Sequence, residues 1–399
     1  MNRERLWTKD FVTVFLINFF VYLIHFLLIV TIASYAIDQF HASTSVAGLV
    51  AGIFIIGVTV GRLETGRVIE EIGSRRILVV GAISTIITAA LYFGAINLPL
   101  LIINRFLHGV AFGLASTAAG TIVAKIIPKH RQGEGIGYFS MSVILATALG
   151  PFVGILVIQH EGYDIIFVVN SALAALCLGI SLIVNEPAVK SSIQRQENAI
   201  KGFNISNVIE FRAVPISMVG LIIGFIFSGI LTFVSLYSKE IRLVEASSFF
   251  FIVYAVVILV SRPFSGRLLD LKGANAVIYP CLFIFAAGVL LLSQAGQGVT
   301  LLLAGAVIGL GYGNFLSCAQ AVCIKAVPPH RLGLATATFF VFLDVGVGAG
   351  SYLLGFLIPF TGYRGLYLVM AVVALAAIVV YHLVHGRRAT FEGVQTTNS

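Results

Sequence analysis

Charged side chains are scarce in this chain of 399 residues, where Asp, Glu, Lys and Arg together make up 11%. Soluble globular proteins carry about 25% of these residues, so the composition excludes an ordinary water-soluble domain. Hydrophobic residues take the place of the missing charge, at 59% of the chain. With about 20 to 25 residues for each membrane crossing, twelve crossings would use most of the chain. We therefore expect a protein whose solvent is lipid, without a separate soluble domain.

Cysteine is also rare, and its positions carry no recognisable chemistry. The four cysteines lie in apolar segments without a CxxC spacing or a paired histidine, so we interpret them as core residues. The chain also lacks a P-loop, an HExxH helix and a nucleophile elbow. We therefore predict no enzyme activity, no cofactor and no bound metal. The four cysteines are Cys177, Cys281, Cys318 and Cys323.

Twelve apolar stretches are long enough to cross a bilayer. Six precede a polar segment and six follow it, which predicts an all-α membrane protein of twelve transmembrane helices in two pseudo-symmetric six-helix bundles. We assign residues 1–184 to the N-terminal bundle, 185–214 to a cytoplasmic linker, and 215–399 to the C-terminal bundle with a short cytoplasmic tail. The stretches lie near residues 11–37, 44–65, 77–97, 98–127, 135–159, 164–184, 215–237, 247–269, 276–294, 300–326, 333–359 and 365–385.

Lysine and arginine residues set the expected orientation. Twelve spans place both termini and the linker on one side, and nearly all of the 25 Lys and Arg residues, Arg62 among them, fall on that side. We place Lys239, Arg242 and Arg364 on the other side and Arg105 inside a span. By the positive-inside rule the termini are cytoplasmic, in a multi-pass protein of the cell membrane. The same rule explains the net charge of +8 without any nucleic-acid partner.

Segments of the chain repeat at a constant offset of 200 residues. The sequence GRLETGRVIEEIG at 61–73 aligns with SRPFSGRLLDLKG at 261–273, so that Arg62 and Arg262 occupy matching positions. Likewise KIIPKHRQG at 125–133 aligns with KAVPPHRLG at 325–333. Each half has an even number of helices, so the two repeats insert with the same orientation, about an axis along the membrane normal. This geometry predicts a substrate path between the halves.

The loop after the second span, GRVIEEIGSRR, resembles the signature that the major facilitator superfamily carries at this place. Gly66, Gly73, Arg75 and Arg76 match that signature, while Glu70 stands where the family has an aspartate. The resemblance implies a gating loop, in which an acid and basic residues bind the N-terminal end of a facing helix. The alternative for the basic residues is ordinary solvated charge.

Ionisable residues inside the spans are candidates for proton coupling. The fourth span, LIINRFLHGVAFG, resembles a second motif of the superfamily, with Arg105 as its buried arginine and His108 where glutamine is usual. A buried guanidinium is costly in lipid, so we expect Arg105 to face a cavity or a partner. Asp344, deep in the eleventh span, is the predicted proton carrier, with Arg105 as its modulator. His25 and His108 are further candidates, since histidine titrates near neutral pH. The alternative for each is a structural hydrogen bond.

The fifth span, GYFSMSVILATALGPFVGI, is similar to the motif that marks drug and proton antiporters within the superfamily. Gly137, Gly150, Pro151 and Gly154 match it, while alanine and isoleucine replace two of its glycines. Proline bends a helix and small residues let neighbouring helices approach closely. The resemblance implies export, and plain helix packing is the alternative.

The resemblance covers the whole chain and implies the twelve-helix drug:proton antiporter group, with the superfamily's fold. We predict a proton-coupled secondary transporter that exports small amphipathic compounds by alternating access, as in multidrug efflux. Its partners are a small-molecule substrate, protons and the lipid bilayer, and the protein acts as a monomer. The alternatives are a dedicated exporter of one metabolite, such as a sugar, a siderophore-like chelate or an amino-acid derivative, and a non-transporting membrane receptor. Candidate cavity residues, chosen as polar or aromatic side chains in helices that line this fold's cavity, are Asn18, Tyr22, Phe225, Phe227 and Asn314.

Overall fold

The structure, a computed structural model, describes residues 6–128, 131–184, 209–328 and 331–387. Twelve helices in this part of the chain are long and apolar enough to cross a membrane, which confirms the predicted all-α architecture. Most of the predicted linker, residues 185–208, lies outside the described residues. The helices are α1 (Lys9–Ile29 and Ile32–Phe40), α2 (Thr44–Ile72), α3 (Ser74–Leu91), α4 (Leu98–Ile126), α5 (Gln132–His160), α6 (Tyr163–Ser181), α7 (Val214–Glu240), α8 (Val244–Lys272), α9 (Asn275–Ser293), α10 (Gly298–Ile308 and Asn314–Lys325), α11 (Leu332–Gly355) and α12 (Ile358–Tyr381).

Helix α1 is interrupted near its far end. The hydroxyl of Thr31 donates hydrogen bonds to the carbonyls of Leu27 and Leu28, at 3.0 and 3.2 Å, where it competes with the helical ladder. The second segment of α1 ends at His41, whose φ of 52° reverses the chain in the left-handed region. The break brings a polar side chain and a bend to the wall of the N-terminal bundle.

Helix α10 contains a π-helical turn, Gly309–Gly313, between its two α-helical segments. The glycines there permit close backbone packing: a Cβ on Gly311 would come within 2.5 Å of the Phe285 nitrogen. Insertions of this kind re-aim side chains and often occur at functional sites. Here the turn carries Tyr312, whose ring stacks on Phe227 with centroids 3.8 Å apart.

The two bundles meet along two seams that the repeat relates to each other. Helix α2 of the first bundle packs on α11 of the second, and α5 packs on α8. An exchange of the two repeats carries one seam onto the other, as expected for an axis along the membrane normal. We call them the α2–α11 seam and the α5–α8 seam, and the cavity lies between them.

One end of the molecule is closed. We call the end that carries the first and last described residues the terminal face, and the other end the opposite face. At the opposite face Thr44 donates to the carbonyl of Gly355 at 2.7 Å, and Gln159 donates to the carbonyl of Val244 at 2.8 Å. Near the terminal face, by contrast, the Cβ position of Gly66 has no atom of another described helix within 4 Å. The cavity between the bundles therefore leads toward the terminal face.

Candidate transport site

The cavity consists of three connected chambers along the interface of the bundles. The terminal chamber, of about 380 Å³, includes Tyr22 and Asp344 in its wall. The central chamber, about 180 Å³, shares both residues with it. A third space of about 140 Å³ shares Phe227 and Tyr312 with the central chamber, and we call it the Arg262 chamber. A small molecule that entered from the terminal face would therefore meet one continuous polar and aromatic surface.

Asp344 and Arg62 form an ion pair across the α2–α11 seam. The charge pattern of the sequence predicts Arg62 among the basic residues of the cytoplasmic surface, and the structure corrects this placement. Helix α2 continues to Ile72, so Arg62 lies about ten residues, or roughly 15 Å, before its end. The side chains are 32% and 17% exposed for Arg62 and Asp344, which leaves the pair in contact with the cavity. The two charges join the bundles at the depth where substrate would bind.

Arg105 does not form the ion pair with Asp344, and its predicted role as modulator of that carboxylate stays a prediction. Its side chain is fully buried in the N-terminal bundle. There it donates to the Tyr92 hydroxyl at 3.2 Å and to the carbonyl of Val50 at 3.3 Å, and its guanidinium lies 4.6 Å from the ring centroid of Phe54. The expectation of a local partner for this charge therefore agrees with the geometry, whereas the partner of Asp344 is Arg62.

The two histidine candidates lie near Arg105 in the same bundle. His108 shares a hydrogen bond of 3.1 Å with the Tyr92 hydroxyl, which also accepts from Arg105. His25 stacks on Phe54 at a centroid distance of 4.4 Å and lines the central chamber. Its Nδ1 atom has no hydrogen-bond partner among the described residues. The structure thus brings Arg105, His108 and His25 together in one bundle, and of these His25 also lines the central chamber with Asp344.

The glycines of the antiporter motif pack α5 against α1. A Cβ on Gly150 would overlap Phe26 and Leu27, and one on Gly154 would crowd the Leu27 carbonyl beside the break at Thr31. Pro151 lies inside the same helix, and Gly137 lies nearer its start. The motif therefore supports the wall of the cavity by close helix contact within one bundle.

The predicted gating loop lies at the terminal face. Gly73 joins α2 to α3 with a φ of 92°, a conformation that favours glycine. Arg75 donates to the Leu182 carbonyl at the end of α6, at 3.0 Å. The surroundings of the Glu70 side chain lie outside the described residues, and Arg76 is exposed. The gating role of Gly66, Glu70, Gly73, Arg75 and Arg76 stays a prediction.

The five predicted cavity residues divide into two groups. Tyr22 and Phe227 line the chambers. Asn18 instead donates to Ser142 at 2.8 Å between α1 and α5, and Asn314 bonds Ser261 and Ser265 between α10 and α8. Phe225 packs with its backbone against Gly346 and Gly350 of α11. Asn18, Phe225 and Asn314 therefore fasten helices to each other and lie outside the chamber linings.

Sequence reasoning missed four side chains of the Arg262 chamber. Arg262 itself was read as surface charge, and Thr147, Tyr254 and Tyr312 were not singled out. Two signals in the sequence point to them. Arg262 repeats Arg62 at the offset of 200, and Tyr312 lies in the glycine-rich turn GLGYG.

A second cross-bundle ion pair lies at the opposite face. Asp38, at the end of α1, pairs with Lys239 of α7 at 2.9 Å and accepts a hydrogen bond from the Tyr163 hydroxyl at 2.6 Å. Both charged side chains are exposed by more than a third, so the pair contributes modestly. It helps to hold the opposite face closed.

Within the described ranges, no group of three His, Cys, Asp or Glu side chains could hold a metal ion.

Comparison with known proteins shows the family. The family model described as "Major Facilitator Superfamily" matches residues 14–295 and 244–396. An uncharacterized transporter of this type from Methanocaldococcus jannaschii is 24% identical over 347 residues, covering 84% of this chain and 88% of the relative. The tetracenomycin C resistance and export protein of Streptomyces glaucescens is 26% identical over 233 residues, covering 54% of this chain and 42% of the relative.

Among solved structures, a bacterial homolog of the human lysosomal transporter Spinster has a similar fold. That structure, in an inward-facing and unoccupied conformation, superimposes with a TM-score of 0.80 at 13% identity, covering 96% of this chain and 98% of the neighbour. Relatives and structural neighbours alike are transporters and not enzymes. This chain is a multi-pass membrane transporter that belongs to the Major Facilitator Superfamily.

Proposed function

We propose that this transporter exports small amphipathic compounds in exchange for protons. The observation that carries the proposal is the Arg62–Asp344 ion pair, because it places a carboxylate in the cavity wall and joins both bundles. A carboxylate within a transmembrane region marks a proton or substrate path by default. In this account Asp344 carries the proton and Arg62 stabilises its charged form.

The ion pair provides a physical link between protonation and alternating access. While Asp344 is ionised, its attraction to Arg62 stabilises the contact of α2 with α11. A proton on Asp344 removes that attraction and leaves a guanidinium without its counter-charge, which is unfavourable when partly buried. Protonation therefore shifts the balance between the arrangement seen here and one that opens elsewhere.

Charge and packing together support the proposed direction of transport. The positive-inside rule makes the terminal face cytoplasmic, so the open cavity of this structure receives substrate from the cytoplasm. The motif glycines Gly150 and Gly154 seal α5 against α1, which resembles the drug and proton antiporters of the family. The similarity to an antibiotic export protein supports export as well. The chamber lined by Asp344 shares Phe227 and Tyr312 with the neighbouring chamber, so a substrate bound there would lie close to the proposed proton carrier, as exchange requires.

The proposal is tested in everted membrane vesicles that are energised to be acid inside. A panel of dyes and antibiotics that includes anionic, neutral and cationic compounds is added while the pH of the lumen is followed, for the native protein and for Asp344→Asn. We expect substrate-triggered alkalinisation in the native protein and its loss in the variant. Asp164→Asn is the matched control, since Asp164 is an exposed residue of α6 outside the chambers.

Two outcomes would contradict the proposal. Alkalinisation that survives in Asp344→Asn would show that another group carries the proton, with His25 and His108 as the next candidates. Acidification of the lumen on addition of a compound would show that substrate and proton move in the same direction, and would replace exchange by symport.

A dedicated exporter of a single metabolite stays the alternative within the same class. Counterflow separates the two, since an efflux transporter of broad specificity exchanges labelled for unrelated unlabelled compounds. The lining of the Arg262 chamber, with its one additional positive charge, bears directly on that question.

A further inference from the structure

The two seams differ in charge at matching positions. On the α2–α11 seam Arg62 faces Asp344. The offset of 200 residues relates Arg62 to Arg262 and Asp344 to Ile144. Arg262 and Ile144 lie together in the wall of the Arg262 chamber, at the α5–α8 seam. The second seam therefore repeats the guanidinium of the first one but has an apolar side chain in place of its carboxylate.

Arg262 has no counter-ion among the side chains that the structure describes. It forms no ion pair there, and its guanidinium donates no hydrogen bond to a described residue. An arginine side chain carries five N–H donors, and a partly buried charge without a partner is unfavourable. Thr147 and Ser317 add hydroxyl groups to the same wall. An anion in this chamber would supply the missing negative charge and acceptors.

The remainder of the chamber wall is aliphatic and aromatic, and four of its residues carry aromatic rings. Phe227 lies between two tyrosines, with ring centroids 3.8 Å from Tyr312 and 5.8 Å from Tyr254. Phe26 of α1 completes the wall on the side of the N-terminal bundle. Such surfaces favour flat apolar molecules, because aromatic rings bury a large area and stack in offset or edge-on geometries.

Formal charge in the three chambers leaves one positive charge uncompensated. Among their described lining residues the Lys, Arg, Asp and Glu side chains are Arg62, Arg262 and Asp344. Arg62 and Asp344 neutralise each other, so Arg262 sets the net charge of the surface. Complementary charge favours a monoanion and disfavours an organic cation, which would find no free carboxylate there.

We propose that Arg262 binds the oxyanion of an amphipathic monoanionic substrate, such as an aromatic carboxylate, whose flat apolar body packs on Phe227, Tyr254 and Tyr312. The proposal rests on the proposed export function and specifies its substrate class. A guanidinium matches a carboxylate through paired N–H donors, which gives both affinity and orientation. Arg62 does not serve this role while it is paired with Asp344.

Binding to the purified full-length protein in lipid nanodiscs tests the proposal without a proton gradient. The probe is 1-naphthoate, and 1-naphthamide is its uncharged counterpart of the same shape. We expect the native protein to bind naphthoate more tightly than naphthamide, and Arg262→Gln to weaken naphthoate binding by about tenfold or more, because a charge-assisted hydrogen bond is lost. Naphthamide affinity should change less than about twofold, and Arg262→Lys should recover part of the naphthoate affinity.

The same nanodisc binding assay provides the control variant and the results that would contradict the anion site. Arg242→Gln removes an exposed arginine of the same bundle at the opposite face, and its naphthoate affinity should equal the native value. Equal binding of naphthoate and naphthamide by the native protein, absent naphthoate binding, or unchanged naphthoate affinity in Arg262→Gln would each overturn the proposal. Size-exclusion profiles and the retained naphthamide binding establish that the variant is folded.

The result is separable from the proposed function. Naphthoate binding that requires Arg262, together with absent proton movement in vesicles, would uphold the anion site and contradict proton exchange. Proton exchange that depends on Asp344 with a compound of the dye and antibiotic panel, together with no role for Arg262 in naphthoate binding, would uphold exchange and contradict the anion site.

Discussion

The α2–α11 and α5–α8 seams have the same ancestry in the repeat but use different chemistry. Near the opposite face, Gly48 of α2 lets the backbones of α2 and α11 touch, whereas its repeat partner Ser248 accepts a side-chain hydrogen bond from Gln159 at 3.1 Å. Deeper in the cavity, the first seam has a closed ion pair, whereas Arg262 of the second seam has no carboxylate partner in the part of the chain that the structure describes. The two seams thus share one helix arrangement, and under our two proposals the seam with the acid carries protons while the seam without it binds substrate.

The largest expected effect comes from disrupting the close backbone contact of the α2–α11 seam. A Cβ at Gly48 overlaps the carbonyl of Ser351, so Gly48→Ala should destabilise closure of the opposite face by about 1 to 3 kcal/mol. A cysteine at Ile29, which lines the central chamber, should then react faster with an impermeant maleimide added from that face. Gly120→Ala is the control, because a Cβ there meets no atom within 4 Å.

Unchanged labelling in Gly48→Ala would show that backbone contact does not limit opening of the opposite face. Faster labelling in both alanine variants would instead indicate a general loosening of the bundles. Only acceleration confined to Gly48→Ala agrees with the seam as described.

A second change would make the two seams alike. Ile144→Asp places a carboxylate opposite Arg262, as Asp344 stands opposite Arg62. We expect naphthoate affinity in nanodiscs to fall about tenfold, because the new acid competes for the guanidinium. The control is Ile144→Asn, because asparagine has the shape of aspartate and is polar but carries no charge. An equal loss of naphthoate affinity in Ile144→Asp and Ile144→Asn would contradict the electrostatic explanation.

The smallest expected effect concerns the ion pair at the opposite face. Exposed pairs contribute about 0.2 to 1 kcal/mol, so Asp38→Asn should raise maleimide labelling of the same reporter cysteine by a factor between about 1.4 and 5. The increase should shrink at high ionic strength, where salt already screens the native pair. Asp164→Asn serves as the control, and an effect that is independent of salt would argue against a charge contact.

The number and positions of the membrane helices could be predicted from the sequence, because a long apolar run indicates a membrane helix directly. All twelve predicted spans correspond to helices of the structure. The interruptions at Thr31 and at Gly309–Gly313 could not be predicted, since they arise from a side-chain hydrogen bond and from packing against α8 and α9. Hydropathy averages over about nineteen residues and does not resolve such local changes.

The site was harder to predict than the fold for a similar reason. Asp344 was singled out because an acid within an apolar run is conspicuous, but its partner lies 282 residues away in the chain. Arg62 stands near other basic residues in the sequence, and only the length of α2 shows that it lies within the cavity. Arg105 was the conspicuous arginine of a motif, yet its bonds to Tyr92 and Val50 keep it inside one bundle. Helical periodicity reports which face is buried and not which helix it meets.

The most direct test of the account measures naphthoate movement and proton movement in the same proteoliposomes, loaded with the pH dye pyranine. Exchange of labelled for unlabelled naphthoate needs no net proton transfer, whereas net export does. We predict that Asp344→Asn keeps naphthoate exchange and loses naphthoate-driven proton movement, and that Arg262→Gln loses both. Proton movement that persists in Asp344→Asn, or naphthoate exchange that persists in Arg262→Gln, would contradict the division of labour between the two seams.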